Sequence, residues 1–164
     1  MNLCSVLLIF FSASAANISV LTLAPFFPSM LAHKAIDPFY DGVIFASFSI
    51  PFIFSPPLLA NYLLPSFGRV NTFVLGSLLL GAGMFIFSFI DFIPSKPVFV
   101  VAAILTRIIE GSGSALVMGA GTSLLTVAFP SSITRYMTLY QIFLGSGYFV
   151  GPLIGDLWIF LALP

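Results

Sequence analysis

The chain is built from long apolar stretches, and the first of them, from Met1 to His33, contains no Asp, Glu, Lys or Arg. Four more apolar stretches follow, separated by short polar segments. Each is long enough to provide the roughly 18–25 residues that a helix needs to cross a hydrocarbon core about 30 Å thick. Unsatisfied backbone groups are costly in lipid, so the stretches are predicted to be helices, and the alternating polarity of barrel strands is absent. The five predicted helices are 3–31, 42–64, 71–90, 98–129 and 136–163.

Composition supports the same fold class. Charged residues make up 6% of the chain and hydrophobic residues 60%, whereas a soluble domain has roughly 25% charged residues facing water. We therefore expect an all-α, multi-pass integral membrane protein with a single transmembrane domain, 1–164, and the lipid bilayer as its surroundings. The formal net charge is zero, so no basic patch for a nucleic acid partner is expected.

The chain lacks residues that several functional classes require. Cys4 is the single cysteine and His33 the single histidine, which excludes an internal disulfide, a CxxC site and a multi-histidine metal site. The segment Gly111-Ser-Gly113 lacks the third glycine of a dinucleotide loop, and no lysine follows it for a P-loop. No nucleophile–base pair at a recognisable spacing and no charge ring of a channel is present. We expect no enzyme activity, no cofactor and no metal.

The two ends of the chain raise separate questions. The apolar run before Ser12-Ala-Ser-Ala15 resembles a signal peptide with a small-residue cleavage site. No Lys or Arg precedes that run, and the apolar stretch continues through Met30, so an uncleaved first spanning helix is favoured. No polar tail follows the fifth run, from which we expect either a fragment or a short isoform.

Two charged residues, Arg107 and Glu110, lie within the fourth run. They are three positions apart, so they share a helical face and can pair. They lie roughly 15 Å from the start of the run, near the middle of a membrane. Ionisable residues at that depth usually face the bundle interior or a water-filled path. Two interpretations stay open: a substrate or proton site, and a structural ion pair that locks two helices together.

Small residues recur at every fourth position in the last two runs. These stripes are Gly111, Ala115, Gly119 and Ser123 in the fourth run, and Gly147, Gly151 and Gly155 in the fifth. Such spacing lets a neighbouring backbone approach closely. Pro152 lies inside the second stripe, and because proline removes a helical hydrogen bond we expect a kink and a candidate hinge there. Asp156 follows the stripe; an interfacial aspartate is favoured over a functional one.

Prolines are also expected to break or bend the first two runs. The second contains Pro51, Pro56 and Pro57, and the first contains Pro25 and Pro28. Interrupted helices are a feature of transporters, which need exposed backbone at a central cavity. Proline is common in membrane helices generally, so this feature alone indicates little.

Two helix segments resemble motifs of the major facilitator superfamily. Arg107, Gly111 and Gly113 match the RxxxGxG pattern of its fourth helix. The segment 147–155, GYFVGPLIG, is similar to the GxxxGPxxGG motif in the fifth helix of its antiporters, with Asp156 in place of the last glycine.

The turn between the second and third runs resembles a third motif of that superfamily. The segment 61–70, NYLLPSFGRV, keeps Leu63, Gly68 and Arg69 of GxLxDRxGRR, whereas proline and serine stand where Asp and the first Arg are expected. Gly68 and Arg69 are therefore candidates for a cytoplasmic gating turn. LAPFFPSML at 23–31, together with SPPLLANYLLPSFG, is similar to the vesicular amine transporter-like branch.

The resemblance implies the first five helices of an N-terminal six-helix half, with the C-terminal helices of a longer form missing. It implies secondary active transport of a small solute by alternating access, of a proton-coupled antiport type. In that interpretation Arg107 and Glu110 form the proton or substrate network. In the amine transporters an acidic residue precedes the LAPFFP segment; here Ala16, beside Asn17, occupies that position.

The resemblance also implies a cytoplasmic N-terminus. The count of Lys and Arg leaves that orientation open, since Arg69 and Arg135 would lie on one side and Lys34 and Lys96 on the other. The alternative function is a truncated, non-transporting membrane protein or a subunit that only packs against others.

Overall fold

The computed structural model describes residues 3–162, which form a bundle of five long helices and contain no strand. We number the helices α1 (Leu3–His33), α2 (Phe39–Phe67), α3 (Arg69–Ser88), α4 (Lys96–Ala128) and α5 (Ile133–Ala162). Short 3-10 turns, Ile90–Phe92 and Pro130–Ser132, precede α4 and α5. All five helices are long and apolar enough to cross a membrane. The predicted all-α fold class is confirmed, and helix ends within the described residues differ from the predicted ones by one turn or less.

The second helix changes its hydrogen-bonding pattern after its prolines. An α-helix from Phe39 to Leu58 is followed by one π-helical turn, Leu59–Leu63, and a last α turn, Leu64–Phe67. Proline has no N–H, so Pro56 and Pro57 cannot donate to the carbonyl oxygens one turn earlier. The π turn is thus the interruption that the sequence predicted in this run, whereas α1 is one α-helix through both of its prolines.

The fourth helix lies at the centre of the bundle. It packs along α2 and α3 and touches α1 and α5, while α1 packs mainly along α5. It is also the most buried of the five helices. Because both of its long sides face other helices, the side chains of Arg107 and Glu110 in its middle are removed from lipid. We call the end of the bundle where α1 finishes the Lys34 end, and the end where α2 finishes the Arg69 end.

Two apolar clusters fill the bundle, one near each end. The cluster at the Lys34 end is centred on Phe27, whose ring lies 5.8, 5.6 and 6.4 Å from the rings of Phe45, Phe87 and Phe99. The cluster at the Arg69 end is Val6, Ile9, Phe10, Ala13, Leu125, Tyr140 and Leu144. Large apolar side chains elsewhere are exposed on the outer faces, as expected for surfaces in contact with lipid or further helices. Arg107 and Glu110 of α4 lie between the α4 residues of the two clusters.

Candidate functional site

The interior of the bundle contains an ion pair between Arg107 and Glu110. Nη1 of Arg107 donates to Oε2 of Glu110 over 2.9 Å, and both side chains are 0% exposed. They follow the start of α4 at Lys96 by roughly 16 and 21 Å along the helix axis. The spacing of three residues brings them together on one face of α4, and the packing of α2 and α3 removes that face from the surface.

Two aromatic rings flank the guanidinium of Arg107. Its Cζ lies 5.0 Å from the ring centre of Phe45 in α2 and 4.8 Å from that of Phe87 in α3. A cation over an aromatic face gains about 2 kcal/mol or more when it is desolvated. Side chains from α2, α3 and α4 therefore surround the guanidinium. The rings of Phe45 and Phe87 also pack against the ring of Phe27.

The ion pair uses only part of its hydrogen-bonding capacity. Nε and Nη2 of Arg107 and Oε1 of Glu110 are buried, and no other group among residues 3–162 hydrogen-bonds to them. A buried charged group with unmet hydrogen bonds destabilises a fold. Buried polar atoms without a hydrogen-bond partner are therefore uncommon where side chains only fill space in a protein core. The site thus presents two nitrogen atoms with free N–H groups and one free acceptor oxygen at the centre of the bundle.

A second carboxylate, that of Asp41, approaches the site from α2. Its Oδ1 atom is buried, without a hydrogen-bond partner in the described part of the chain, and the carboxylate lies within electrostatic reach of Arg107. Asp41 precedes Phe45 by four residues, which places it on the same helical face, about 6 Å nearer to the Lys34 end. Asp41 stands directly before the second apolar run, and no sequence motif marks it. The spacing between Asp41 and Phe45 does not predict that Asp41 lies near Arg107. The contact of Phe45 with Arg107 depends on how α2 packs on α4, which the spacing within one helix does not show.

Three glycines make room for this arrangement. A Cβ atom on Gly83 of α3 would lie 2.6 Å from Cγ of Glu110, so the absence of a side chain there admits the carboxylate. A Cβ atom on Gly111 would overlap the carbonyl oxygen of Phe48 in α2, and one on Gly113 would lie 2.7 Å from a carbonyl oxygen of α3. The two glycines of the RxxxGxG segment therefore face different helices. The sequence did not single out Gly83, which no motif marks.

The glycine stripe of α5 lies against α1. A Cβ atom on Gly147 would be 2.6 Å from Cβ of Asn17, and one on Gly155 would be 2.6 Å from Cγ of Pro25. Gly151 meets the same helix between them. The three glycines thus form one face of what we call the α1–α5 seam, in which the two backbones approach as closely as small residues allow.

Side-chain hydrogen bonds cross the same seam. Ser14 Oγ donates to the carbonyl oxygen of Phe143 over 2.6 Å, and Asn17 Nδ2 donates to that of Leu144 over 3.1 Å. Pro152 lies in the adjoining part of α5 and is half-buried, and α5 is one α-helix across it. Asp156 is exposed, so it does not join Arg107 and Glu110 in the interior.

The turn at the Arg69 end depends on Gly68. Its φ of 78° and ψ of 159° lie in a region that is essentially restricted to glycine. The turn leads directly into Arg69, whose Nε donates to Oγ of Ser123 over 2.9 Å. This bond joins the start of α3 to the last turns of α4, so the turn is connected to the helix that carries Arg107.

Lysines join the connections at the opposite end. Nζ of Lys34 lies 3.2 Å from the Asp91 carboxylate and donates to the carbonyl oxygens of Asp91 and Ile93 over 2.7 and 3.2 Å. Nζ of Lys96 donates to the carbonyl oxygen of Ala35 over 2.9 Å. These bonds hold the α1–α2 and α3–α4 connections together above the Phe27 cluster.

Comparison with known families gives one match that covers nearly the whole chain. The sequence model of the Major Facilitator Superfamily matches residues 6–162. That range includes all the site residues described above.

Individual relatives share lower identity over a similar range. The chain is 29% identical over 148 residues to MFS-type transporter SLC18B1 of Homo sapiens, covering 88% of this chain and 32% of that protein. It is 27% identical over 150 residues to the proteins of the same name from Mus musculus and Rattus norvegicus, covering 89% of this chain and 32% and 33% of theirs. The chain therefore spans about a third of the length of these relatives. No solved structure matches it.

Proposed function

The chain belongs to the major facilitator superfamily, and we propose that it forms the N-terminal part of a secondary active transporter that exchanges a small solute for protons. The superfamily membership predicted from its motifs is confirmed, as is the multi-pass membrane topology class. Transporters of this type bind their substrate between two helical halves and expose it alternately to each side of the membrane. The partners of this chain are then the solute, protons, lipid and the remaining helices of a longer form.

The observation that carries the proposal is the buried pair of Arg107 and Glu110. Replacing a buried ion pair by apolar residues of similar volume is often neutral, or stabilises a protein by about 1–4 kcal/mol. Stability alone therefore gives little reason to keep two charges in the middle of a membrane helix. Intramembrane ionisable residues that face a bundle interior typically belong to a proton or substrate pathway.

In the proposed mechanism Glu110 exchanges a proton, and its free Oε1 atom is the acceptor. While it is ionised, Glu110 neutralises Arg107 through its other oxygen, 2.9 Å from Nη1. When a proton binds, that neutralisation is lost, and the guanidinium retains its aromatic contacts with Phe45 and Phe87. The net charge of the site therefore differs between the two protonation states of Glu110, and a second ligand that distinguishes these states is coupled to proton binding.

The conformational part of the proposal rests on the α1–α5 seam and on the Arg69-end turn. In the seam Gly147, Gly151 and Gly155 let one helix slide on another with few interlocking side chains, and Pro152 provides the hinge. Gly68 and Arg69 form the cytoplasmic gating turn, with the N-terminus of the chain on the cytoplasmic side. The bond from Arg69 to Ser123 supports this role, because it links the turn to α4.

The experiment compares the functional role of the pair with a purely structural one. The full-length protein is reconstituted in liposomes, and proton flux is measured with a dye in the lumen while organic cations, amines and polyamines are added in turn. A double variant, Arg107→Met with Glu110→Leu, keeps the side-chain volumes and removes both charges. We expect it to fold with an unchanged or higher midpoint of thermal unfolding, and to lose solute-driven flux by about a hundredfold or more, as when a proton-transfer group is removed.

Arg135→Gln provides the control, because Arg135 is exposed at the start of α5, and it should keep the flux. A double variant that transports normally would make the pair a structural lock and would refute its assignment. If the wild-type protein moves none of the solutes, with or without protons, the non-transporting alternative replaces the transporter.

A further inference from the structure

Two carboxylates act electrostatically on the charge of Arg107, and the proposed transport mechanism uses only one of them. Among the described residues, the charged groups that act on Arg107 are Glu110 in its own helix and Asp41 in α2. The described part of α1 has no charged residue before His33, and α3 has none after Arg69. Among the described residues of these helices, Glu110 and Asp41 are therefore the two carboxylates available to the guanidinium.

Free hydrogen-bonding atoms occur on the arginine and on the second carboxylate. Nε and Nη2 of Arg107 have no partner within residues 3–162, and neither has the buried Oδ1 of Asp41. Phe45 connects the two: its ring lies 5.0 Å from Arg107, and Asp41 is one helical turn before it on the same face. The several rotatable bonds of an arginine side chain give its guanidinium alternative staggered positions.

From this arrangement we propose that Asp41 is a positioning residue for Arg107, which receives the guanidinium whenever Glu110 is neutral. While Glu110 is ionised it holds Nη1, and Asp41 remains without a direct bond. When Glu110 is neutralised, by a proton or by a cationic solute, Arg107 would otherwise become an uncompensated buried charge, which strongly destabilises a fold. Transfer to Asp41 avoids that state.

The two partners lie on different helices, and this gives the exchange a mechanical consequence. Glu110 ties Arg107 to α4 itself, whereas Asp41 ties it to the first turn of α2. Neutralising Glu110 therefore adds a cross-link between α2 and α4 near the Lys34 end, and ionising it removes that link. The role of Asp41 rests on the proposed function in one respect, namely that Glu110 is neutralised during a transport cycle.

The test is a double-mutant cycle read by thermal unfolding of the full-length protein in detergent, without solute or proton gradient. Asp41→Asn is made in the wild type and in a Glu110→Gln background, where the first partner is permanently neutral. We expect the fall in unfolding midpoint caused by Asp41→Asn to be about twofold or more larger in the Glu110→Gln background, the non-additivity of residues in one network. Asp41→Glu in that background should retain the midpoint better than Asp41→Asn.

Asp37→Asn is the matched control, because Asp37 lies four residues earlier, in the connection before α2, and its Oδ1 accepts the backbone N–H of Phe39 over 2.8 Å. Its effect should be equal in both backgrounds. If the double variant does not fold, adding Arg107→Met should restore folding by removing the unpaired charge, and failure to do so overturns the proposal. Additive losses, or Asp41→Glu performing no better than Asp41→Asn, also overturn it. Loss of proton flux decides the proposed function separately, since none of these measurements requires transport.

Discussion

Replacing Gly147 by alanine tests whether the α1–α5 seam depends on the contact of two helix backbones. Gly147 faces α1, and an added Cβ atom would lie 2.6 Å from Cβ of Asn17 and 3.1 Å from the carbonyl oxygen of Ser14. Neither neighbour is the end of a flexible side chain, so α1 or α5 must move. Gly145, two residues earlier in the same helix, has no atom within 4 Å of such a Cβ and provides the matched control.

The expected magnitude follows from the difference between the two variants. Both exchange glycine for alanine in the interior of one helix, so the gain in helix propensity, about 0.8–1 kcal/mol, cancels between them. Carbon atoms prefer a separation of about 3.5–4.0 Å, so the seam must open locally by about 1 Å, which forfeits a quarter to a half of each affected contact. Overpacking of this kind costs about 1–3 kcal/mol. Gly147→Ala should therefore be less stable than Gly145→Ala by that amount.

The assay is reversible unfolding of the full-length protein in mixed micelles with increasing denaturing detergent, followed by near-ultraviolet circular dichroism. Gly145→Ala should equal or exceed the wild type in free energy of unfolding, and Gly147→Ala should fall below Gly145→Ala. Equal free energies for the two alanine variants would mean that α1 and α5 are not in backbone contact at Gly147, and the hinge assigned to this seam would lose its physical basis.

Two further substitutions test the ends of the bundle. Gly68→Ala should lower the free energy of unfolding by about 1–3 kcal/mol, because alanine is strained at a φ of 78° and a ψ of 159°. Gly42→Ala is the control: Gly42 lies in α2 with no atom within 4 Å of the new Cβ, so this variant should lose no measurable stability. Lys34→Met should lower the midpoint of thermal unfolding more than Asp91→Asn does. The lysine variant loses two hydrogen bonds to carbonyl oxygens as well as the ion pair. Asp91→Asn removes only a largely exposed charge, for which a loss of about 0–1 kcal/mol is expected. A larger effect of Asp91→Asn would show that the carboxylate, not the lysine, holds the two connections together.

Some of the site could be read from residue spacing. Arg107 and Glu110 are three residues apart, and a helical repeat alone places them on one face, so their contact needs no tertiary information. The glycine stripe of α5 likewise predicted a close helix contact. Its partner could not be predicted, because spacing within one helix does not show which neighbour it meets.

Other parts of the site depend on residues that carry no signal in the sequence. Asp41 stands at a helix border, where acidic residues are common, and only the packing of α2 on α4 brings it near Arg107. Gly83 belongs to no motif, yet it supplies the space for the Glu110 side chain. Asn17, considered only as the neighbour of a position that is acidic in the amine transporters, instead donates to α5 in the seam.

The sequence by itself determined the five membrane-spanning helices, because length and hydropathy are properties of each segment and lipid leaves the backbone no alternative to internal hydrogen bonds. Only the tertiary structure decided that α4 is central, that α5 lies on α1, and that Phe45 of α2 flanks Arg107. The physical reason is the solvent. In water an amphipathic stripe marks the buried face of a helix, whereas in lipid both faces are apolar, and the partner of each face is chosen by the fit of side chains against one another.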